Sequence, residues 1–223
     1  PTSFTATGPN QVWSWDISYC PSAVRGQHWY LYLIMDIYSR KIVAWEVHEA
    51  ESGDLARRLV ERALLREGCW LDPPVLHSDN GAPMTSYTLK ARLADLGMLM
   101  SHSRPRVSND NPYSESLFRT VKYCPEWPSK GFQSLTAVRD WMLAFEDAYN
   151  EQHLHSGIRL VTPADRHRGV DHEHLAHRKM VYERAKRRNP RRWSGPTRNW
   201  EVTGPVSLNP GKLQEVERNK LAA

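Results

Sequence analysis

Ser101 to Tyr123 reads SHSRPRVSNDNPYSESLFRTVKY, a polar loop that opens into a helix. Asn111 is placed to cap that helix, its side-chain oxygen taking a free backbone N–H. Pro112 suits the first helical position, where no N–H is needed. Glu115, Arg119 and Lys122 then fall at i, i+4 and i+7 and share one face. Leu117 and Val121 lie on the opposite side, with Phe118 near the boundary, and turn inward. For one helix alone, an acid beside two bases is an ordinary surface ion pair. Two other segments change that reading.

Val12 to Tyr19, VWSWDISY, is a strand-like run with one acid, Asp16, inside it. Val75 to Gly81, VLHSDNG, is a short apolar strand ending at His77, with Asp79 just beyond it. Asn80-Gly81 is a turn signal that holds Asp79 at a strand's end. A buried, unpaired carboxylate is costly, so acids in or beside strands usually have cation partners. Three acids from two strands and a helix can share one such partner, a divalent metal. Oxygen ligands suit Mg²⁺ or Mn²⁺, hard ions that also bind phosphate oxygens.

Asp79 and Glu115 are separated by 35 residues, and Asp16 lies upstream in a W-x-W-D-I-S-Y setting. With HSDNG, the Ser101–Tyr123 stretch, YNEQHLHSGIRLVTPADRHRG, WSGPTRNW and VSLNP, this resembles the Asp-Asp-Glu transposase and retroviral integrase superfamily. The likeness is greatest to the catalytic subunits of bacterial insertion-sequence transposases, and it runs in order from about Asn10 to Pro210. The resemblance implies an α/β, ribonuclease-H-like fold: a mixed five-stranded sheet flanked by helices. In it the first strand is central, the fourth lies beside it, and the Glu115 helix crosses over Asp16 and Asp79. It also implies catalysis by two Mg²⁺ (or Mn²⁺) ions. Asp16 would bridge both, Asp79 hold one and Glu115 the other. Water would cut DNA first, and the freed 3′-hydroxyl would then join the element's end to target DNA.

The remaining chain fits one large core with a basic appendage. It has 223 residues, 40% of them hydrophobic, and a net charge of +5. Residues 1–150 hold 15 Lys/Arg against 17 Asp/Glu, and residues 151–223 hold 15 against 8. A near-neutral body with a cationic tail points to a polyanion, most simply double-stranded DNA. The candidate DNA contacts are Arg104 and Arg106 in the loop, Arg119 and Lys122 on the helix, and Arg187, Arg188, Arg191 and Arg192 in the tail. No run of 18 apolar residues predicts a membrane span, and the opening PTSFTATGPN does not read as a signal peptide. Three scattered cysteines, Cys20, Cys69 and Cys124, predict reduced thiols in a cytoplasmic protein rather than a disulfide scaffold.

Along the chain, residues 1–10 read as a linker or truncated edge. Residues 11–159 are the expected catalytic core and 160–223 a separate or loosely attached basic extension. Strands are expected at Val12–Cys20, Trp29–Ile37, Lys41–His48, Val75–His77 and Met98–Ser101, and a strand pair within Trp200–Leu208. Helices are expected after Ser52 or Asp54, over Tyr87–Leu96, at Glu115, after Ser134 or Thr136, and over His172–Lys186. Asp36 is a rival carboxylate, better read as a turn residue that binds local backbone. His172, His174 and His177 cluster without a zinc-ligand spacing, and a polar helix face is the better reading.

Neither a zinc-binding amino-terminal domain nor a helix-turn-helix stands before the core. The resemblance therefore implies a fragment, or a subunit that relies on a partner for end recognition. It also implies a homo-oligomer on DNA, because two ends need two active sites. Two rivals stand beside it: a metal nuclease of the same fold that cuts without joining, and a catalytically silent DNA-binding subunit.

Overall fold

The computed structural model describes residues 4–104 and 110–208. Its centre is a five-stranded sheet built from β2 (Val12–Pro21), β3 (His28–Asp36), β4 (Ile42–His48), β5 (Val75–Ser78) and β6 (Met100–His102). The order is β4-β3-β2-β5-β6, so β2 is central and β5 lies beside it, as expected. β2, β3 and β4 are antiparallel, whereas β5 runs parallel to both β2 and β6.

Both faces of the sheet are covered, and the period-2 alternation of each strand decides which side chain goes where. Trp13, Trp15, Tyr32 and Ile34 face one layer, where they pack against Leu59, Val60, Ala63 and Leu64 of α1 (Gly53–Glu67) and Leu89 and Leu93 of α3 (Tyr87–Asp95). The short helix α2 (Ala82–Thr85) lies between them in sequence. Leu31, Leu33 and Met35 face the other layer, against Leu117 and Val121 of α4 (Pro112–Lys122) and Val138, Met142 and Phe145 of α5 (Leu135–Asp147). Ser52 caps α1 by accepting from Asp54 N–H, and Gly68 ends it in the left-handed region at φ 68°. A Cβ on Gly53 would fall 2.0 Å from Ser86 Oγ, so glycine permits the close approach of α1 to the start of α3.

The chain ends depart from the sequence reading. The expected linker contains a strand, β1 (Thr5–Ala6), which pairs antiparallel with β7 (Val206–Ser207). Ala6, Val12, Ile37, Val206 and Leu208 form a small buried cluster there. Trp200–Leu208 is therefore not a strand pair: β7 takes its partner from the other end of the chain. Trp200 packs instead with Ile158, Val161 and Leu175. Pro205, which lacks an N–H, cannot support a local hairpin ladder.

Part of the described segment after residue 160 is tied to the body of the sheet. Arg166, on α6 (Pro163–Arg168), is 1% exposed and donates to the carbonyls of Tyr38 and Thr203 and to Asp171. The long helix α7 (Asp171–Arg188) follows; of its residues only Asp171 and Leu175 are buried.

Candidate active site

Three elements carry the three acids. The β2–β5 ladder pairs Ser14 with His77, and Asp16 and Asp79 each stand two residues beyond that pair. Alternation puts Asp16 on the same face as Ser14, the face that α4 covers. Asp16 accepts a hydrogen bond from Ile17 N–H at 2.7 Å. Asp79 accepts from Gly81 N–H at 2.9 Å, the turn geometry expected of Asp-Asn-Gly. Glu115 sits in the first turn of α4 and is exposed.

The electrostatics single out Asp16. Burial pushes its carboxyl up to about 7, and the negative charges of Asp79, Glu115 and Glu51 push the same way against the Ile17 hydrogen bond. The three acids therefore lie within one another's field. Among the described residues none of them is ion-paired with a lysine, arginine or histidine. No group of three His, Cys, Asp or Glu among the described residues is gathered closely enough to hold a metal ion. The acids are close enough to feel one another's charge but do not close into a ready-made metal cluster. Glu51, just before α1, is a fourth carboxylate that sequence reasoning missed. Nothing in EAESGD marks it, because it reaches Asp16 only through the fold.

Asn111 does not cap α4; its side chain makes no bond to that helix's free N–H groups. Instead its Oδ1 accepts from Ser14 Oγ at 2.5 Å and its Nδ2 donates to the Trp15 carbonyl at 3.2 Å. Ser114 Oγ joins the same node, 2.6 Å from Ser14 Oγ. All three side chains are buried, so leaving the Trp15 carbonyl or the Ser14 hydroxyl unpaired would cost more than an exposed helix end loses. The node fastens α4 to β2, one residue from Glu115 at one end and two from Asp16 at the other. Ser14 was the legible hint: a polar residue at an inward position of an otherwise apolar strand.

The loop that leads into α4 is clasped at its base. Arg104 donates through its backbone N–H, Nε and Nη2 to the Asp110 carboxylate, each at 2.8 Å. Those bonds, chiefly from the guanidinium, hold the Asp110 carboxyl down at about 2. His77 Nε2 donates to the Asp110 carbonyl at 2.9 Å, and its Nδ1 is 3.0 Å from Ser101 Oγ. Arg104, expected at DNA, is thus engaged in the protein, although its side chain stays 58% exposed. Arg106 lies outside the described residues. Arg119 and Lys122 are exposed on α4, with Arg119 5.8 Å from the Tyr123 ring. Arg187 and Arg188 end α7, and Arg191 and Arg192 sit in the turn after it, all four exposed.

Asp36 behaves as a turn residue. It is fully buried and accepts from Ser39 N–H, Ser39 Oγ and Asn10 N–H at 2.7–2.8 Å. Burial still raises its carboxyl above the ordinary range.

Known proteins place this arrangement. Two profiles of the integrase core domain match, over residues 6–108 and 96–163. The transposase for insertion sequence element IS904 of Lactococcus lactis is 30% identical over 166 residues, covering 73% of this chain and 63% of that protein. Transposase InsF for insertion sequence IS3fB of Escherichia coli is 31% identical over 121 residues, 53% of this chain and 40% of that one. The chain thus spans less than two thirds of these relatives' lengths.

Among solved structures, a simian T-cell lymphotropic virus intasome aligns with TM-score 0.56 and 15% identity, over 73% of this chain and 55% of that chain. The Mos1 transposase catalytic domain with Raltegravir and Mg aligns with TM-score 0.54 and 16% identity, over 72% and 77%. These likenesses show the fold, which is ribonuclease-H-like. The profile matches cover the stretch that builds the five-stranded sheet and carries Asp16, Asp79 and Glu115, and the chain belongs to the integrase core domain family.

Proposed function

We propose that this chain is the catalytic part of an insertion-sequence transposase, cutting double-stranded DNA at element ends and joining the freed 3′ ends to target DNA. The observation that supports it most is the placement of Asp16 on β2 and Asp79 just past the end of the adjacent parallel β5, each two residues beyond the Ser14–His77 pair, with the Glu115 helix fastened to β2 through Ser14, Asn111 and Ser114. The donor set fits Mg²⁺ or Mn²⁺. It is all oxygen, burial and then the neighbouring acids push Asp16 up to about 7, and no protein cation among the described residues neutralises it.

In this reading Asp16, Asp79 and Glu115 hold two such ions. The ions, when bound, would neutralise the reacting phosphate and activate the attacking oxygen. Arg119 and Lys122 contact the phosphates beside the acids. Arg187, Arg188, Arg191 and Arg192 bind backbone phosphates without reading bases. Arg106 is a candidate contact from the loop, and Arg104 keeps that role only if the Asp110 clasp opens. Residues 11–159 are the catalytic core and 160–223 the basic extension. The active form is an oligomer on DNA, and end recognition comes from a helix-turn-helix region in a partner or elsewhere in a longer chain. No helix among the described residues is long and apolar enough to cross a membrane.

The test is a metal-dependent assay on a duplex carrying the element's end and on a control duplex, followed by strand-joining to a target. Cutting and joining that both need Mg²⁺ or Mn²⁺ support the reading. Cutting without joining would leave a nuclease of the same fold, and DNA binding without either would leave a silent subunit.

A further inference from the structure

Besides the Ser14 node, the first turn of α4 carries a second tie. Tyr113, two residues before Glu115, is half-buried and packs against both the α4–α5 layer and the small cluster of Ala6, Val12, Ile37, Val206 and Leu208. Its hydroxyl donates to the Ser207 carbonyl at 2.8 Å, and the Arg40 guanidinium lies 4.2 Å above its ring. Strand register explains why that carbonyl is open to it. Leu208 N–H donates to the Phe4 carbonyl at 2.8 Å, and Thr5 faces Ser207 in the next pair. Hydrogen-bonded and non-hydrogen-bonded pairs alternate along an antiparallel ladder, so the Ser207 carbonyl points away from β1. A phenylalanine would fill the same space as Tyr113, so the hydroxyl serves the link to β7 and not the packing.

We propose that Tyr113 is a positioning residue of the metal site, through which β7 sets the rotation of α4 that presents Glu115 to the other two acids. The inference rests on the reading of Asp16, Asp79 and Glu115 as metal ligands. Successive residues of a helix point about 100° apart. Ser114 ties one side of the first turn to Ser14 on β2, and Tyr113 ties the neighbouring side to β7. A helix held at one point can still roll about it; two ties on different sides fix the roll. Glu115, the next residue round and exposed, moves with that roll. Asp16 and Asp79 are carried by the sheet, and their spacing does not depend on α4. The share of metal affinity that comes from Glu115 is therefore the share that β7 controls. Because β7 pairs with β1, full affinity needs Thr5 and Ser207, 202 residues apart, to be docked, although neither is a ligand.

The test uses the full chain and Mn²⁺ alone, without DNA, at a temperature where every variant is folded. Free Mn²⁺ is read from its electron paramagnetic resonance signal. Tyr113→Phe keeps the ring and loses the hydroxyl, and should weaken Mn²⁺ binding by about 5-fold, the worth of one hydrogen bond. Leu208→Ala, which loosens β7 from its buried side, should weaken it alike. Leu64→Ala opens a void on the opposite face of the sheet, and should lower stability while leaving Mn²⁺ affinity unchanged. In a Glu115→Gln background, Tyr113→Phe should cost no further affinity, because the ligand it positions is gone. Wild-type affinity in Tyr113→Phe, a further loss in the Glu115→Gln background, or an equal loss in Leu64→Ala would overturn the proposal and leave the metal site standing. Asp79→Asn binding Mn²⁺ as tightly as wild type would remove the metal site itself, and the role of β7 with it.

Discussion

Asp16 on β2 and Asp36 on β3 are both carboxylates pushed up by burial in the same sheet, yet the protein treats them differently. Asp36 is enclosed by three donors, Ser39 N–H, Ser39 Oγ and Asn10 N–H. Its neighbour Ser39 leads on to His167 at 2.9 Å, and His167 to Glu67 at 3.0 Å, where the Lys41 ammonium adds an ion pair at 2.8 Å. That region is closed, with donors and cations matched to its acids. Asp16 has one backbone donor and three negative neighbours. A buried acid surrounded by donors holds a turn; a buried acid facing other acids waits for a cation from outside.

The largest effect that can break this contrast is on activity. Asp16→Asn, Asp79→Asn and Glu115→Gln should each abolish metal-dependent cutting and joining together, measured on an end-bearing duplex. Full activity of Glu115→Gln with Mg²⁺ present would end the shared-site mechanism. Stability should move the other way. Folded Asp16 keeps its proton up to about pH 7, whereas the unfolded chain releases it near 3.8, so stability falls as pH rises between those values. Asp16→Asn should therefore raise stability above pH 7, by up to roughly 4 kcal/mol. Wild type should gain thermal stability on adding Mn²⁺ at pH 8, and Asp16→Asn should gain less.

The closed region predicts the opposite pH slope. Burial would raise the Glu67 carboxyl, but hydrogen bonds from His167 and Lys41 and their charges hold it down, from 4.5 to about 2. Its contribution, about 3 kcal/mol, is complete above pH 4.5 and is lost as pH falls toward 2. Glu67→Gln should flatten acid unfolding in that window. A Glu67→Gln protein as acid-sensitive as wild type would show that the ion pairs do not govern it.

Two smaller substitutions sharpen the contrast. Asp36→Asn sets an amide against three donors and should cost about 1–3 kcal/mol, with cutting per folded molecule retained. Asn111→Ala should cost a similar amount through the orphaned Trp15 carbonyl. Unlike Asp36→Asn it should also weaken the Mn²⁺-induced stabilisation, because α4 loses its tie beside Glu115. Equal Mn²⁺ responses in the two variants would mean that the node holds the fold and not the acids. The smallest effect lies in the basic extension. Each of Arg187, Arg188, Arg191 and Arg192 replaced by Ala should flatten the log–log salt dependence of DNA affinity by about 0.9 per phosphate contact, alike on all duplexes.

Much of the site is legible because its signals are local. Trp13 and Trp15 alternate with Ser14 and Asp16, which is enough to call a strand and set its faces. The i, i+4, i+7 phase of Glu115, Arg119 and Lys122 is a property of any helix. Asp36 followed by Tyr38-Ser39-Arg40 reads as a turn, and its bonds to Ser39 are local as well. What local signals misread is Asn111. Its residue type and position call for a cap, but its bonds go to Ser14 and the Trp15 carbonyl, 97 and 96 residues away.

Residue order alone was therefore enough for the five strands of the central sheet, the helices, Asp16 within its strand, Asp79 at the end of its own and the phase of the glutamate, because each depends on neighbours within a few positions. Tertiary structure alone decided the rest. It diverted Asn111 from the helix end, brought Glu51 into the field of Asp16, engaged Arg104 with Asp110, and paired Thr5 with Ser207 across 202 residues of chain. In each case a polar group or strand edge finds its partner only once the core has closed. The free energy of that pairing comes from burial, which a local pattern of residue types does not record.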